Sequence, residues 1–298
     1  MTLQLTCYFA TMSTTPAQQL RDLLQRTPLL LMPACFDALS AKLIEQAGFP
    51  AVFMSGFGVS ASRLGLPDTG LISYGEMLNQ GQNICAAVKI PVLGDGDTGY
   101  GNAINVKRTV KGYAQAGFAC VMLEDQVAPK RCGHTQGKQV VGREEAFTRI
   151  QAAVEARKEG QDILIMARTD ARATEGLDEA IFRAQTFATL GADITFLEAP
   201  QSIEEMQAYC QQVQGYKMAN MVEQGKTPYL TPAELQAIGY HLVAYPLTLL
   251  NVSILAMQQA LQHLKNGQQP EQLLSFTTLK EVVGFTAYYQ EEERYPQK

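Results

Sequence analysis

Eight short apolar segments alternate with amphipathic segments along most of this 298-residue chain. The apolar segments span residues 29–33, 51–54, 92–93, 120–123, 163–167, 194–197, 217–219 and 242–244. Apolar residues at helical spacing between them predict helices that include 38–47, 105–116, 143–158, 178–190 and 203–212. Continuous apolar strands that alternate with helices are typical of parallel strands buried on both faces. Eight such units favour an α/β fold, the (β/α)8 TIM barrel, over an open doubly wound sheet.

The chain is predicted to form a single barrel domain over residues 1–298. Residues 1–27 contribute an N-terminal helix over 16–26, with Thr14 or Thr15 as its cap, 28–246 the barrel core and 247–298 a helical C-terminal segment. A hydrophobic content of 46% can fill one large core, although the length alone also suits two ordinary domains. Apolar residues at helical spacing over 247–264 exceed what an eighth barrel helix needs. We therefore expect a neighbouring subunit to cover part of that surface.

Reactive or hydrogen-bonding residues follow the second to the eighth predicted strand, where barrel enzymes build their active sites. They are Ser55, Asp95 with Asp97, Glu124, Arg168, Glu198, Asn220 and the pair Tyr245-Pro246. One polar residue after a strand is ordinary loop chemistry. Such residues after successive strands predict a shared site at one end of the barrel.

Two of these strand ends are rich in carboxylates. Asp95 and Asp97 lie among glycines directly after one strand, and Glu124 follows the next. A few carboxylates completed by water suit Mg²⁺, so these three residues are the candidate metal ligands. The alternative is that each cluster only marks a turn, because Asp and Gly are also common turn residues.

The charge balance excludes other classes of function. The formal net charge is -5, which lacks the basic footprint of a nucleic-acid binder and offers no polybasic membrane patch. The six cysteines show no C-x-x-C spacing, which favours a reducing, cytoplasmic location over a disulfide framework. Neither a secretory signal nor an apolar run of membrane-spanning length is evident.

The segment 125–142 is longer and more polar than an ordinary strand-to-helix turn. Its glycines and its cationic residues predict a lid over an anion site; the cations are Lys130, Arg131, His134 and Lys138. A disordered surface insertion is the alternative. Cys132 lies in this cationic segment, where thiolate is favoured and acid-base chemistry is open to it. The other interpretation of Cys132 is a small buried hydrophobe, as we take Cys35, Cys85 and Cys120 to be.

These motifs together resemble the isocitrate lyase and phosphoenolpyruvate mutase superfamily. The resemblance extends from about Met32 to Pro246 and rests on Ser55-Gly56, Leu66-Pro67-Asp68, the run from Asp95 to Gly101, Glu124-Asp125-Gln126, Lys130-Arg131-Cys132-Gly133-His134, the run from Ala167 to Ala171, Glu198-Ala199-Pro200 and Ala219-Asn220-Met221. It implies a modified barrel whose C-terminal helices are exchanged between subunits, a homotetramer built from dimers, and a magnesium cofactor with Mn²⁺ as a substitute. The Cys-Gly-His element resembles the lyase branch, which cleaves a carbon-carbon bond of a 2-hydroxy di- or tricarboxylate.

The resemblance also implies roles for individual residues. The metal would be held by Asp95 and, through water, by Asp97 and Glu124, with Asp68 on metal-bound water or, alternatively, as a structural cap. Cys132 would supply the proton from the lid, and Arg168 would clamp a carboxylate. The residues implied as further substrate contacts are Ser55, Gly56, Phe57, Gly133, His134, Glu198, Asn220 and Pro246.

Departures from known relatives bear on the substrate. Methylisocitrate lyases carry one arginine where this chain has Asn251 and a second near what is here Thr277 or Thr278, so a smaller dicarboxylate is favoured. Residues 219–228 resemble more closely the group of 2,3-dimethylmalate lyase and petal death protein. Pro246 replaces a serine of oxaloacetate hydrolases, so oxaloacetate hydrolysis or decarboxylation ranks below cleavage of a 2-alkylmalate. Isocitrate cleavage, phosphonate chemistry of the mutase kind and a non-catalytic binding barrel are the remaining alternatives.

Overall fold

The computed structural model describes residues 14–132 and 137–295, and its centre is a closed barrel of eight parallel strands. The strands are β1 (Leu30–Cys35), β2 (Val52–Met54), β3 (Val92–Asp95), β4 (Cys120–Glu124), β5 (Leu164–Thr169), β6 (Ile194–Leu197), β7 (Tyr216–Asn220) and β8 (Leu242–Tyr245). Each strand pairs with its sequence neighbour, and β8 pairs with β1 to close the ring. The predicted (β/α)8 barrel is confirmed.

Helices surround the barrel and follow the predicted order. They are α1 (Pro16–Arg26), α2 (Ala38–Gln46), α3 (Gly56–Val59), α4 (Tyr74–Ala87), α5 (Ala103–Ala116), α6 (Arg143–Lys158), α7 (Leu177–Leu190), α8 (Ile203–Gln212), α9 (Pro232–Ile238), α10 (Thr248–Lys265), α11 (Phe276–Val283) and α12 (Phe285–Glu292). Local sequence signals set many of their ends. Thr15 caps α1 before Pro16, and Ser73 with Glu76 forms a capping box at the start of α4.

Several strands extend further toward their carboxyl ends than the apolar runs predict. Asp95, Glu124 and Asn220 are the last residues of β3, β4 and β7, and Arg168 lies inside β5. Backbone pairing continues there because ladder hydrogen bonds do not depend on the polarity of the side chain. The functional side chains are thus held by the sheet itself, which is more rigid than a loop.

Period-two alternation places an apolar layer directly below the polar strand ends. Each residue two positions before a polar end belongs to one buried cluster inside the barrel: Phe53, Leu93, Met122, Met166, Phe196 and Met218. These side chains are at most 5% exposed. The barrel interior is therefore filled by apolar side chains, and the polar strand ends lie directly above this apolar layer.

Helix α1 closes the opposite end of the barrel. Its residues Ala17, Leu20, Leu23 and Leu24 belong to the same buried cluster as the interior of the strands. Arg21 of α1 also pairs with Asp162, which lies just before β5, at 2.9 Å. Because this end is plugged, a ligand has access to the barrel from the carboxyl ends of the strands.

The C-terminal helices bury little of their own apolar surface. Leu250 is the one buried residue described in α10, and α11 and α12 have none. Their exposed large apolar side chains are Val252, Ile254, Leu255, Met257, Leu261, Leu264, Phe276, Leu279, Val283, Phe285, Tyr288 and Tyr289. Such a face suits burial against another chain.

Candidate active site

A pocket opens at the carboxyl ends of the strands and contains about 550 Å³ of unfilled space, its mouth included. That volume suits a small organic ligand. Its lining residues are Phe53, Ser55, Phe57, Asp68, Asp95, Met122, Lys130, Cys132, Arg168, Phe196, Glu198, Met218, Asn220, Val222, Pro246 and Leu247. Polar groups thus converge on a cavity whose floor is apolar.

Carboxylates gather on one side of the pocket around Asp95. One Asp95 oxygen, Oδ2, accepts from the backbone N–H of Gly56 at 3.2 Å, and Oδ1 accepts from the N–H of Asp97 at 3.0 Å. The ammonium of Lys130 donates to Asp68 at 2.7 Å and lies 2.9 Å from Asp97 Oδ1. Backbone amides and one lysine therefore hold three carboxylates close together.

Arg168 is the centre of the other side. Its Nε lies 3.3 Å from Glu124 Oε2, and these two residues are register partners across β4 and β5. Its Nε and Nη2 donate to the two carboxylate oxygens of Asp170 at 2.8 and 3.0 Å. Its Nη2 also lies 3.7 Å from Glu198, which in turn accepts from Asn220 at 3.4 Å. The guanidinium is thereby fixed from several directions at the pocket wall.

Burial strongly affects the charges of this cluster. It raises the pKa of Asp95 to about 6, although Lys130 opposes the rise, and it raises the pKa of Glu124 well above its usual value despite Arg168. Burial disfavours the ammonium of Lys130, yet Asp97 and neighbouring acids hold its pKa well above the usual value. The acids around Asp95 and Glu124 thus lack sufficient positive charge, and a cation would stabilise their ionised forms.

The donor set fits a divalent cation that keeps most of its water. Buried oxygens of Asp68, Asp97 and Glu124 have no hydrogen-bond partner of normal geometry, although Lys130 lies within ion-pair distance of the first two. Among the described residues, no three Asp, Glu, His or Cys side chains converge closely enough to bind one ion directly. Mg²⁺ commonly binds through one or two carboxylates and several waters, so this arrangement is compatible with it.

Most predicted site residues line this one pocket. Ser55, Phe57, Asp68, Asp95, Cys132, Arg168, Glu198, Asn220 and Pro246 do so directly. The next three do not line the pocket but contact residues that do: Gly56 contacts Asp95, Asp97 contacts Lys130, and Glu124 contacts Arg168. Gly133 and His134 lie outside the described residues. The two acid-bearing strand ends and the thiol therefore lie around one pocket.

The loop lysines do more than was predicted for them. Instead of only covering the pocket, Lys130 lies within the acid cluster, and Lys138 pairs with the buried Asp170 at 2.9 Å. Both residues are buried, at 5% and 8% exposed over the whole residue. A lysine in a polar loop is expected to be exposed to solvent, so the sequence alone does not reveal this burial.

Two other groups of site residues were missed. Asp170 lies two residues after Arg168, a spacing that places two side chains of a strand end on one face. The apolar floor was also missed, although Phe53, Met122, Phe196 and Met218 each lie two positions before a predicted site residue. In both cases the period of two along a strand was the available signal.

Comparison with known proteins identifies the family. The model of the phosphoenolpyruvate phosphomutase family matches residues 20–265. A 2,3-dimethylmalate lyase of Eubacterium barkeri is 43% identical over 283 residues, which are 94% of this chain and 98% of the relative. The chain belongs to the PEP mutase/isocitrate lyase superfamily. The resemblance inferred from the motifs is thereby confirmed.

Other members of the superfamily differ in their named activities. A chloroplastic carboxyvinyl-carboxyphosphonate phosphorylmutase of Arabidopsis thaliana is 43% identical, and the matched region covers 92% of this chain and 83% of the relative. A 2-methylisocitrate lyase of Aeropyrum pernix is 40% identical and covers 94% and 90%. Relatives at similar sequence identity therefore include both lyases and a mutase.

Solved structures of the superfamily share the fold closely. An oxaloacetate acetylhydrolase in complex with 3,3-difluorooxalacetate superposes with a TM-score of 0.91 at 34% identity, over 95% of this chain and 98% of that one. A phosphonopyruvate hydrolase in complex with oxalate and Mg²⁺ gives 0.84 at 30% identity, over 95% and 99%. No helix in the described part of this chain is both long and apolar enough to span a membrane.

Proposed function

We propose that this chain is a Mg²⁺-dependent carbon-carbon lyase that acts on a 2-hydroxy dicarboxylate, with a 2-alkylmalate favoured over a methylisocitrate-like substrate. The products are a 2-oxo acid such as pyruvate and a second carboxylate. The observation that carries the proposal is that Cys132 lines the same pocket as Asp95 and Arg168. A metal site, an anion clamp and a proton donor are the three parts that such a cleavage requires.

The acids around Asp95 would hold the metal, Asp95 directly and Asp97 and Glu124 through water. Bound there, Mg²⁺ would lower the pKa of the substrate's 2-hydroxyl and would neutralise charge on the 2-oxo acid product. The backbone N–H groups of Gly56 and Asp97 keep the Asp95 carboxylate in place. Asp68, which accepts a hydrogen bond from Lys130, would orient water near the same cluster.

Arg168 is suited to clamp a substrate carboxylate. Two of its nitrogens are held by Asp170, and within the described residues no hydrogen bond uses its third nitrogen, Nη1. That nitrogen remains available to an anion in the pocket. Ser55 contributes a hydroxyl to the same wall, and Asn220 with Glu198 orients the far end of the substrate.

The cleavage balances without water or a redox partner. The 2-hydroxyl gives its proton to a carboxylate of the acid cluster around Asp95, the bond between carbons 2 and 3 breaks, and its electron pair passes to carbon 3 of the departing fragment. That fragment is an enediolate until it takes up a proton at carbon 3. Cys132 lies on the pocket wall and is half-buried, so its thiol can donate this proton. The proton taken from the 2-hydroxyl restores the thiol of Cys132 once that thiol has protonated carbon 3.

The character of the pocket wall favours a dicarboxylate that carries alkyl groups. Among the described lining residues, Lys130 and Arg168 are the cationic ones, and both already face acids. Phe57, Val222 and Leu247 are apolar. A third carboxylate there would lose water without gaining a partner, whereas an alkyl group gains from burial.

A substrate panel tests the proposal. Purified protein with Mg²⁺ is supplied with 2-methylmalate, 2,3-dimethylmalate, 2-methylisocitrate, isocitrate, oxaloacetate and phosphonopyruvate. Formation of pyruvate or another 2-oxo acid from an alkylmalate, abolished by a chelator, supports the lyase. Oxalate and acetate from oxaloacetate alone would establish hydrolysis in its place. Turnover of phosphonopyruvate alone would establish phosphonate chemistry.

We also propose that the protein forms a homotetramer, a dimer of dimers, in which the C-terminal helices pack on a neighbouring copy. The support is the apolar face of α10 to α12, which the chain itself leaves exposed. Helices of eight residues with no buried side chain have little stability alone, so a partner surface accounts for them.

A further inference from the structure

We propose that Lys138 is a positioning residue, which acts through Asp170 to orient Arg168. Lys138 also offsets the negative charge of Asp170, so that the Arg168 guanidinium can attract an anionic substrate. Lys138 Nζ lies 2.9 Å from Asp170 Oδ1, and the same oxygen accepts from Arg168 Nη2 at 3.0 Å. Asp170 Oδ2 accepts from Arg168 Nε at 2.8 Å. One carboxylate therefore binds both cations. The inference rests on the proposed function for the identity of the anion that Arg168 receives.

Charge arithmetic shows why a second cation is useful. Arg168 and Asp170 alone form a bidentate pair with no net charge, whereas the addition of Lys138 gives the group a net charge of +1. Glu124 and Glu198 also lie within 4 Å of the guanidinium, at 3.3 and 3.7 Å. These five groups carry a formal net charge of -1 with Lys138 and -2 without it, so loss of Lys138 would weaken the attraction of Arg168 for a substrate carboxylate.

Burial makes these interactions strong. The side chains of Lys138 and Asp170 are 2% and 0% exposed, and that of Arg168 is 9% exposed. Water screens charges poorly at such depth, so removal of one cation changes the field at the others substantially. The pKa of Asp170 agrees with this arrangement: burial opposes its ionisation, but Arg168 and Lys138 hold the pKa well below the usual value.

Asp170 is itself rigidly held. Its backbone N–H donates to Asp125 Oδ1 at 2.9 Å, and the neighbouring Thr169 hydroxyl donates to Asp125 Oδ2 at 2.7 Å. Arg183 donates to the same Asp125 at 3.0 Å and to the carbonyl of Val141 at 2.9 Å. A carboxylate fixed in this way can define where Arg168 points.

Lys138 is not placed to bind the substrate itself. It does not line the pocket, whereas Arg168 does. We therefore assign its effect on an anion to Asp170, which contacts both Lys138 and Arg168. This distinguishes it from Lys130, which lines the pocket and lies among the acids near Asp95.

The test measures anion binding independently of turnover. Succinate has no 2-hydroxyl and cannot be cleaved, so its dissociation constant in the presence of Mg²⁺ is obtained by calorimetry. Lys138→Met is expected to raise that constant at least tenfold, and Lys138→Arg to keep it within about threefold of the wild type. In turnover, Lys138→Met should raise KM more than it lowers kcat, because a clamp holds ground state and transition state alike.

A second background separates positioning from mere stabilisation. With Asp170→Asn already present, Lys138→Met should change the dissociation constant of succinate by less than twofold, since the carboxylate that links Lys138 to Arg168 is gone. Equal effects in both backgrounds would overturn the inference. Lys107→Met is the matched control, because Lys107 pairs with Glu155 and Glu159 on the surface. Circular dichroism and the thermal midpoint confirm that each variant is folded.

The outcomes also separate this inference from the proposed function. If the wild type turns over an alkylmalate and Lys138→Met binds and reacts as the wild type does, the inference alone fails. If Lys138→Met weakens succinate binding but the wild type cleaves no 2-hydroxy dicarboxylate, the lyase proposal alone fails. If the wild type binds no dicarboxylate, the pocket is not an anion clamp and both fail.

Discussion

The backbone of Gly56 lies directly against the side chain of Asp95. Its N–H donates to Asp95 Oδ2, and a Cβ placed on Gly56 would lie 2.5 Å from that oxygen. No side chain fits in this space without moving the carboxylate. The contact therefore explains why a glycine follows Ser55 at the end of β2, next to the residue proposed to bind the metal.

Gly56→Ala is expected to impair catalysis far more than stability. Displacement of Asp95 by close to an ångström should lower kcat/KM by about 100-fold, because a misplacement of about 1 Å in a catalytic group costs about that much. Steady-state kinetics at several Mg²⁺ concentrations measure the effect. Gly142→Ala is the control, since a Cβ there has no neighbour within 4 Å. Full activity of Gly56→Ala would show that Asp95 is not held by this contact.

Cys132→Ser tests the proton donor. A serine hydroxyl is a much weaker acid than a thiol, so kcat is expected to fall about 100-fold to 10,000-fold, the usual range for general acid-base catalysis. Binding of oxalate with Mg²⁺ should change little, because Cys132 is not assigned to bind the anion. Cys85→Ser is the matched control: burial raises the pKa of Cys85 to about 12, and it lies in α4, outside the pocket lining. Unchanged turnover in Cys132→Ser would remove the basis of the lyase mechanism.

The fold could be predicted from the sequence because one pattern recurs eight times. Parallel strands buried on both faces have few polar positions, so the runs at 120–123 and 194–197 are apparent without any structure. The predicted carboxyl ends of the strands were less accurate than the strands themselves. Asp95, Glu124 and Arg168 interrupt the apolar runs, and polarity gives no sign that backbone pairing continues through them.

The candidate site was predicted as far as strand ends define it. Topology alone brings Ser55, Asp95 and Glu198 to one mouth, because all eight strands point the same way. The partners of Lys130 and Lys138 could not be predicted, since they depend on how the loop after β4 folds back over the barrel. Burial of those lysines follows from contacts far apart in sequence, such as the pair of Lys130 with Asp68.

Asp170 should give the protein a component of stability that depends on pH. Its pKa is held well below the usual value in the folded state, so ionised Asp170 stabilises the fold above the unfolded pKa of about 3.9. That stabilisation is lost as the pH falls below this value toward the folded pKa. Urea denaturation of wild type and Asp170→Asn between pH 7 and pH 3 measures it.

For Asp170 the wild type is expected to lose stability on acidification that the variant has already lost, about 1 kcal/mol of it by pH 3. The difference in unfolding free energy between the two proteins should therefore shrink as the pH approaches 3. A constant difference across the range would mean that Asp170 is not the titrating group. Asp178→Asn, at the start of α7, serves as a control for a general effect of losing a carboxylate.

The apolar face of the C-terminal helices predicts self-association that substitutions can disrupt. Met257 and Leu261 in α10 are 57% and 64% exposed, one helical turn apart, so both belong to one face. Light scattering coupled to size-exclusion chromatography should give the mass of a tetramer for the wild type and a smaller mass for Met257→Lys/Leu261→Lys. Lysines in place of these side chains would have to lose their water on assembly, which opposes association. Ile104→Lys is a matched control, because Ile104 is 73% exposed and belongs to α5 rather than to α10 to α12. A wild type that elutes as a monomer, or a double variant that keeps the wild-type mass, would contradict the proposed subunit contact.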